Sequence, residues 1–147
     1  MADVEDPLVS AYFGVEFQGE IAGYFQECTG LGSENEVVEQ KAVSDKGVEI
    51  LIKVPGRMKF NNITLKRGIT SAMDMWTWRK QVETGQITGA RRDGSIVMYG
   101  QDGSEVARWN LKRAWPSKLT GPAPNATQSQ IGIEELEIVH EGYERVT

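Results

Sequence analysis

EVVEQKAVSDKGVEILIKV, residues 36–54, decides how the rest of the chain is read. Two β-prone runs, Glu36 to Val43 and Val48 to Val54, flank Ser44-Asp45-Lys46-Gly47, whose residue types suit a turn. The pattern predicts a β-hairpin. Its charges are spread along both strands, with Glu34, Glu36, Glu39 and Lys41 on the first and Glu49 and Lys53 on the second. At ~3.3 Å per residue, about eight residues reach roughly 26 Å, enough to project beyond a small barrel. A projecting hairpin has unpaired strand edges, and such edges invite pairing with another chain.

On the N-terminal side, Tyr12 to Gln18 alternates Phe13, Val15 and Phe17 against Tyr12, Gly14 and Glu16. Gly19-Glu20 reads as a turn into a partner strand, Ile21 to Thr29, which ends at Gly30-Leu31-Gly32. On the C-terminal side, Pro55-Gly56 interrupts the pattern. The next strand, Met58 to Lys66, has apolar residues at Met58 and Phe60 and then, out of phase, at Ile63 and Leu65. A bulge at Asn61-Asn62 would account for this. Ile131 and Ile133 followed by Leu136 and Ile138, with Glu134-Glu135 between, repeat the feature in the last long strand. Two such shifts favour a curved barrel over a flat sheet.

Helical period is confined to Ala72 to Thr84, where Ala72, Met75, Trp78 and Val82 form a stripe, Ser71 and Asp74 approach a capping box and Gly85 stops the helix. Trp76 and Arg79 lie beside the stripe, and the tryptophans read as core. A three-stranded meander follows: Gln86 to Arg92, an Asp93-Gly94 turn, Ser95 to Tyr99, a second turn, and Glu105 to Trp115. On its last strand Ala107, Trp109, Leu111 and Trp115 share a face, interrupted by Arg113. Pro116 to Thr127, with three prolines, is the longest expected loop. The fold class is therefore mainly β: one domain over residues 1–147, a barrel of two packed antiparallel sheets with a flanking helix and a projecting hairpin.

Composition narrows the function classes. The 147 residues are 39% hydrophobic and 25% charged, ordinary for a folded domain. No apolar run approaches the ~18 residues of a membrane span, and the acidic Met1 to Asp6 lacks the features of a secretory signal, so synthesis in the cytoplasm is expected. A net charge of −5 weakly disfavours general binding to nucleic-acid phosphates. With one cysteine, Cys28, and one histidine, His140, there is neither an internal disulfide nor a thiolate-imidazole zinc set. Cys28 has no basic sequence neighbour to activate it. His140 has no visible partner for catalysis and reads as a surface or barrel-end residue. In Glu134-Glu135 and in Glu141/Glu144 the members of each pair point to opposite faces of a regular strand, so these read as solvated or interface charge rather than acid–base pairs. Gly30-Leu31-Gly32 is too short for a nucleotide loop. No catalytic, cofactor or metal residue is expected. A ligand-binding barrel, an oligonucleotide-binding barrel using Trp109 and Trp115 with Arg108, Lys112 and Arg113, and an assembly subunit all fit the pattern. The long hairpin favours assembly.

Several segments carry a resemblance. DPLVSAYFGVEFQGEIAGYFQECTGLGSE (residues 6–34), PGRMKFNNITLKRGIT (55–70) leading into SAMDMWTWRKQV, ARWNLKRAWPSKLTGPAPNAT (107–127) and IEELEIVHEGYERV (133–146) resemble the tail tube family of contractile phages, and especially inner tube proteins of extracellular contractile injection systems. The resemblance implies a barrel shared with type VI secretion tubes and six copies per ring, with rings stacked into a hollow conduit inside a sheath. Implied partners are further copies of the chain, a sheath protein, baseplate, spike and tube-end proteins, and effector cargo in the lumen. It implies neither membrane insertion nor sequence-specific nucleic-acid binding. Carried onto this chain, the inter-subunit interface comprises Glu36, Val38, Glu39, Lys41, Asp45, Lys46, Glu49, Ile50 and Lys53 of the hairpin, with Leu8 and Val9 of an N-terminal arm (residues 1–11). The loop at 116–126 is expected at a ring face. A baseplate initiator or tube-end adaptor ring is the variant of the same reading.

Overall fold

A computed structural model describes residues 12–17, 20–69, 71, 73–122 and 132–147, with backbone alone considered at 20–22. The N-terminal arm, Leu8 and Val9 included, and the segment 123–131 lie outside the described residues.

Two strands open the chain, β1 (Tyr12–Phe17) and β2 (Glu20–Phe25), and Phe17 pairs with Glu20 so that residues 18 and 19 connect them. The expected second strand is broken at Gln26 into β2 and β3 (Glu27–Thr29), and the two halves pair with different neighbours. β4 (Ser33–Val43) and β5 (Glu49–Phe60) form a separate two-stranded sheet. After them come β6 (Ile63–Gly68), helix α1 (Asp74–Glu83), a single-turn helix α2 (Ile87–Ala90), β7 (Arg92–Tyr99), β8 (Glu105–Thr120), β9 (Ile133–Val139) and β10 (Gly142–Arg145).

All strands but β4 and β5 belong to one sheet in the order β2-β1-β7-β8-β9-β6-β3, with β10 also on β8. The sheet bends into two layers because two segments serve both. The first half of the 16-residue β8 pairs with β7 and the second half with β9. Its corner is Arg113, whose φ of 49° is a left-handed conformation that non-glycine residues seldom adopt. The second corner is Gln26, where the chain passes from β2 to β3. Between the layers, Val15, Phe17, Phe25, Ile96 and Leu111 meet Ile63, Leu65, Leu136 and Ile138 in one apolar core. The expected β1 alternation therefore holds, with Val15 and Phe17 buried and Phe13 packed against them.

α1 lies at one end of the sandwich. Met75 and Trp78 enter the core, Val82 packs against it, and Trp78 meets the Phe17 ring edge-on at 4.6 Å while its Nε1 donates to the Ala90 carbonyl at 2.7 Å. The helix begins at Asp74, and Ala72 of the expected stripe lies outside the described residues. Its N-cap is Met73 and no side chain caps it, so the Ser71–Asp74 box does not form. Gly85, at φ 84°, stops it as expected.

Further expectations are corrected. Gln86–Arg92 is not a strand: residues 87–90 make the turn of α2 that brings the Ala90 carbonyl to Trp78. Asp93-Gly94 is not a turn but part of β7, and Gly94 is required because a Cβ there would sit 2.4 Å from the Phe17 ring. Pro55-Gly56 does not end a strand. β5 runs through it, with Pro55 opposite Val37 at a bulge, where a missing N–H is tolerated. Asn61-Asn62 is not a bulge within one strand but the link between β5 and β6, so the phase change marks a change of sheet. β8 extends through Pro116 to Thr120, so residues 116–120 are strand rather than loop. The Arg113 corner also resets the alternation, burying Ala114 and Pro116 and leaving Trp115 off the core face.

The last correction concerns β9. Its alternation is unbroken, with Glu134, Leu136 and Ile138 all inward, and the apparent phase shift is a buried carboxylate read as a surface charge. Glu134 is 2% exposed and Arg67, opposite it on β6, is 6% exposed; Arg67 Nε donates to Glu134 Oε2 at 2.9 Å. Trp76 Nε1 donates to the other carboxylate oxygen, and the Arg67 guanidinium lies 5.0 Å from the centre of the Phe25 ring. The carboxylate thus ties α1 to the β6–β9 layer, and the guanidinium it holds reaches Phe25 of the other layer.

Candidate assembly surface

The arm formed by β4 and β5 leaves the sandwich through Gly30-Leu31-Gly32 and returns through Asn61-Asn62. Gly30 has φ 92°, and any Cβ there would fall 1.9 Å from the Asn62 carbonyl oxygen, so the two connections touch and only glycine fits. Asn61 N–H donates to the Gly32 carbonyl at 3.0 Å. The Phe60 ring anchors the root between His140 (5.6 Å) and Tyr143 (5.5 Å), and His140 Nε2 lies 3.2 Å from the Asn61 carbonyl oxygen. His140 is thus part-buried at the root of the arm, in a structural contact.

The register of the arm sorts its side chains. Val38 pairs with Val54, Gln40 with Ile52 and Ala42 with Ile50, and directly opposed residues share a face. That face is apolar except for Gln40. The reverse face carries Glu39 opposite Lys53, Lys41 opposite Leu51 and Val43 opposite Glu49. Lys41 and Glu49 approach to 3.6 Å, but at 83% and 67% side-chain exposure this pair contributes little to stability. On the apolar face Val38, Ile50 and Ile52 remain 43%, 43% and 41% exposed. Burying what is left of each would gain roughly 1 kcal/mol. A continuous apolar strand surface left in water marks an interaction site.

Of the residues expected at an interface, Val38 and Ile50 lie on this apolar face. Glu39, Lys41, Glu49 and Lys53 lie on the charged one. Glu36 sits at the bulge beside Gly56, and Asp45 and Lys46 form the tip. Sequence reasoning passed over Ala42, Ile52 and Val54, although the alternation Ile50, Ile52, Val54 in VEILIKV carries the signal.

Away from the arm, Tyr24 (54% exposed) packs edge-on to Tyr12 at 5.6 Å and 6.0 Å from Tyr99 on the outside of the first layer. Arg108 bridges Glu16 and Glu105 nearby, hydrogen bonds that hold its guanidinium well above its ordinary pKa. Burial pushes the Cys28 thiol up to about 12, so it is an inert thiol and no nucleophile at neutral pH. Among the described residues no three His, Cys, Asp or Glu side chains converge as a metal site would require.

This two-layer β fold with a helix at one end and an amphipathic arm is that of structural tube subunits, not enzymes. The chain belongs to the T4-like virus tail tube protein gp19 family, whose profile matches residues 9–144. Solved structures share the fold. A chain of the sheath-tube complex of the extracellular contractile injection system PVC, in the extended state, is 24% identical over 97% of this chain and 93% of its own, with a TM-score of 0.77. A chain of the tube-terminating cap of the anti-feeding prophage is 23% identical, covering 100% and 95%, with a TM-score of 0.79. A type six secretion system protein is 9% identical, covering 92% and 83%, with a TM-score of 0.61. Comparison with curated protein sequences gives no match.

Proposed function

We propose that the chain is the repeating subunit of the inner tube of a contractile injection particle, forming sixfold rings that stack into a hollow conduit. The observation that carries this reading is the arm. A two-stranded sheet with an apolar face is marginal alone in water, so it needs a surface from another copy to cover it. Membership of the tail tube family and the likeness to a chain from a sheath-tube complex support the same role. The sheath is then the outer partner, baseplate, spike and tube-end proteins meet the two ends, and cargo occupies the lumen. The chain is made in the cytoplasm and assembled into a phage-tail-like particle that stays in the cell or is released. The mechanism is mechanical: contraction of the sheath drives a stiff tube through a target envelope.

A terminal role, as an adaptor or terminator ring, is the second reading, favoured by the equally good superposition on a chain of a tube-terminating cap. Negative-stain electron microscopy of the purified protein over a concentration series separates the two. Hollow tubes of variable length support the repeating subunit; single rings that never stack support the terminal role; a monomer at all concentrations, with baseplate components added, refutes both.

A further inference from the structure

His140 is the only histidine of the chain and sits in the two-residue link between β9 and β10. Its Nε2 lies 3.2 Å from the Asn61 carbonyl oxygen, which can only accept, so this nitrogen carries the hydrogen of the neutral ring. Nδ1 is then a bare lone pair. It is shut off from water and has no hydrogen-bond partner among the described residues. We infer that His140 is an acid-sensitive latch on the root of the arm: protonation of its ring in mildly acidic surroundings unfastens the crossing that holds β4 and β5 in place.

The contact is placed where it controls the arm. Asn61 accepts from His140 through its carbonyl and donates through its N–H to the Gly32 carbonyl at 3.0 Å, so one residue joins the imidazole to both connections of the arm. The ring also packs 5.6 Å from Phe60, the last residue of β5, and 6.0 Å from Tyr143 of β10.

A second proton has to go to Nδ1, since Nε2 already holds one. A buried N–H without an acceptor loses its hydration and gains nothing in return. The neighbouring rings recover little of this, because at 5.6 and 6.0 Å they lie near the outer limit for a cation over an aromatic face, and the Tyr143 ring stands at 87° to the imidazole. No carboxylate among the described residues reaches Nδ1. Glu137 of β9 accepts from Asn62 Nδ2 at 2.7 Å, and Glu141 of the link is paired with Arg113 of β8. Lys59 of β5 is exposed opposite Glu34, and Lys112 of β8 and Glu144 of β10 are exposed as well. Tyr143 stays a neutral phenol in acid. The charged imidazole is therefore satisfied only in water, and to reach water it must leave Asn61 and Phe60. Histidine ordinarily titrates near pH 6.5, so the latch is closed at neutral pH and opens as the pH falls through about 6.

Every contact of the latch lies within one chain, so it operates without assembly. Its consequence for a particle rests on the tube reading: tubes stable at neutral pH shed subunits in an acidic compartment, because the arm is no longer fixed at its root.

Hydrogen exchange followed by mass spectrometry, on the dilute full-length chain at about pH 7.5 and 5.5 with rates corrected for the intrinsic effect of pH, tests the latch. Peptides spanning 30–34 and 57–62 should exchange roughly tenfold faster in acid, while those of β7 keep their rate. His140→Gln retains a donor for the Asn61 carbonyl and does not titrate, so its root should show no acceleration. Equal pH profiles in parent and variant, or an unchanged root in the parent, would overturn the latch. A second measurement is independent of the variant's folding: the single histidine's proton resonances give its titration midpoint, which must coincide with the midpoint of root opening, and separate midpoints refute the proposal. Electron microscopy of preformed tubes at the two pH values then tests the consequence. Shedding in the parent but not in His140→Gln is expected, and parent tubes that persist while the root opens in the free chain would overturn the shedding. Failure to form tubes at any pH counts against the tube reading and leaves the exchange result to decide the latch.

Discussion

Arg67 and Glu134 face each other across β6 and β9, 2.9 Å apart and both nearly excluded from water, with Trp76 of α1 on the second carboxylate oxygen. Removing one member of a buried pair strands the other charge. Glu134→Ala is expected to destabilise the fold by about 3–5 kcal/mol in urea unfolding. The double change Arg67→Leu with Glu134→Leu should cost much less, since no charge is left unpaired. Equal losses in the two variants would mean that packing, not charge, dominates the site.

Proline at Val38 or Ile50 removes an N–H and fixes φ within the arm while leaving the sandwich untouched. Tube growth should be abolished, with the urea midpoint of the monomer unchanged within error. Tubes of normal length from either variant would remove the arm from the assembly mechanism.

Gly30→Ala places a Cβ against the Asn62 carbonyl in a backbone region that alanine resists. A loss of about 2–4 kcal/mol is expected, together with impaired assembly, because the arm and the first strand of the second layer share this crossing. Gly47, at φ 75° at the arm tip with open space around it, is the contrast: Gly47→Ala should cost about 1 kcal/mol or less.

The Cys28 thiol is neutral in folded and unfolded chains alike below its ordinary value of 9.0, so it contributes no pH dependence there. Between 9.0 and about 12 the unfolded chain ionises and the folded chain does not, so this group lowers stability as pH rises across that window. At pH 8 the depressed thiolate fraction, partly offset by the higher intrinsic nucleophilicity of a more basic thiolate, should slow reaction with a disulfide reagent by at least about tenfold relative to the urea-unfolded chain. Comparable rates in the two states would place the thiol in water.

What could be read from the sequence was whatever depends on local period. The alternation of β1, the Met75, Trp78 and Val82 positions of the α1 stripe and the turn types at Ser44 to Gly47 each fix a local choice, and each forms as expected. The misreadings share a cause: residues whose surroundings, not neighbours in sequence, decide their role. Glu134 looks like surface charge until Arg67 arrives from 67 residues away. Gly94 looks like a turn until Phe17 is laid against it. Residues 87–90 form a helical turn that packs Ala90 against Trp78 rather than a strand. The hairpin was legible in the sequence, but pairing register is needed to see that Val38, Ala42, Ile50, Ile52 and Val54 occupy one side of it.

The arm is joined to the sandwich at residues 30–32 and 61–62 and by the Phe60 ring at its root, and it forms a sheet of its own. That makes it a transplantable cassette. Exchanging residues 33–59 between two members of the family, with Phe60 kept against His140 and Tyr143, should alter which chains recognise one another without altering which chains fold, so kinship between particles is encoded in a segment that the core does not constrain.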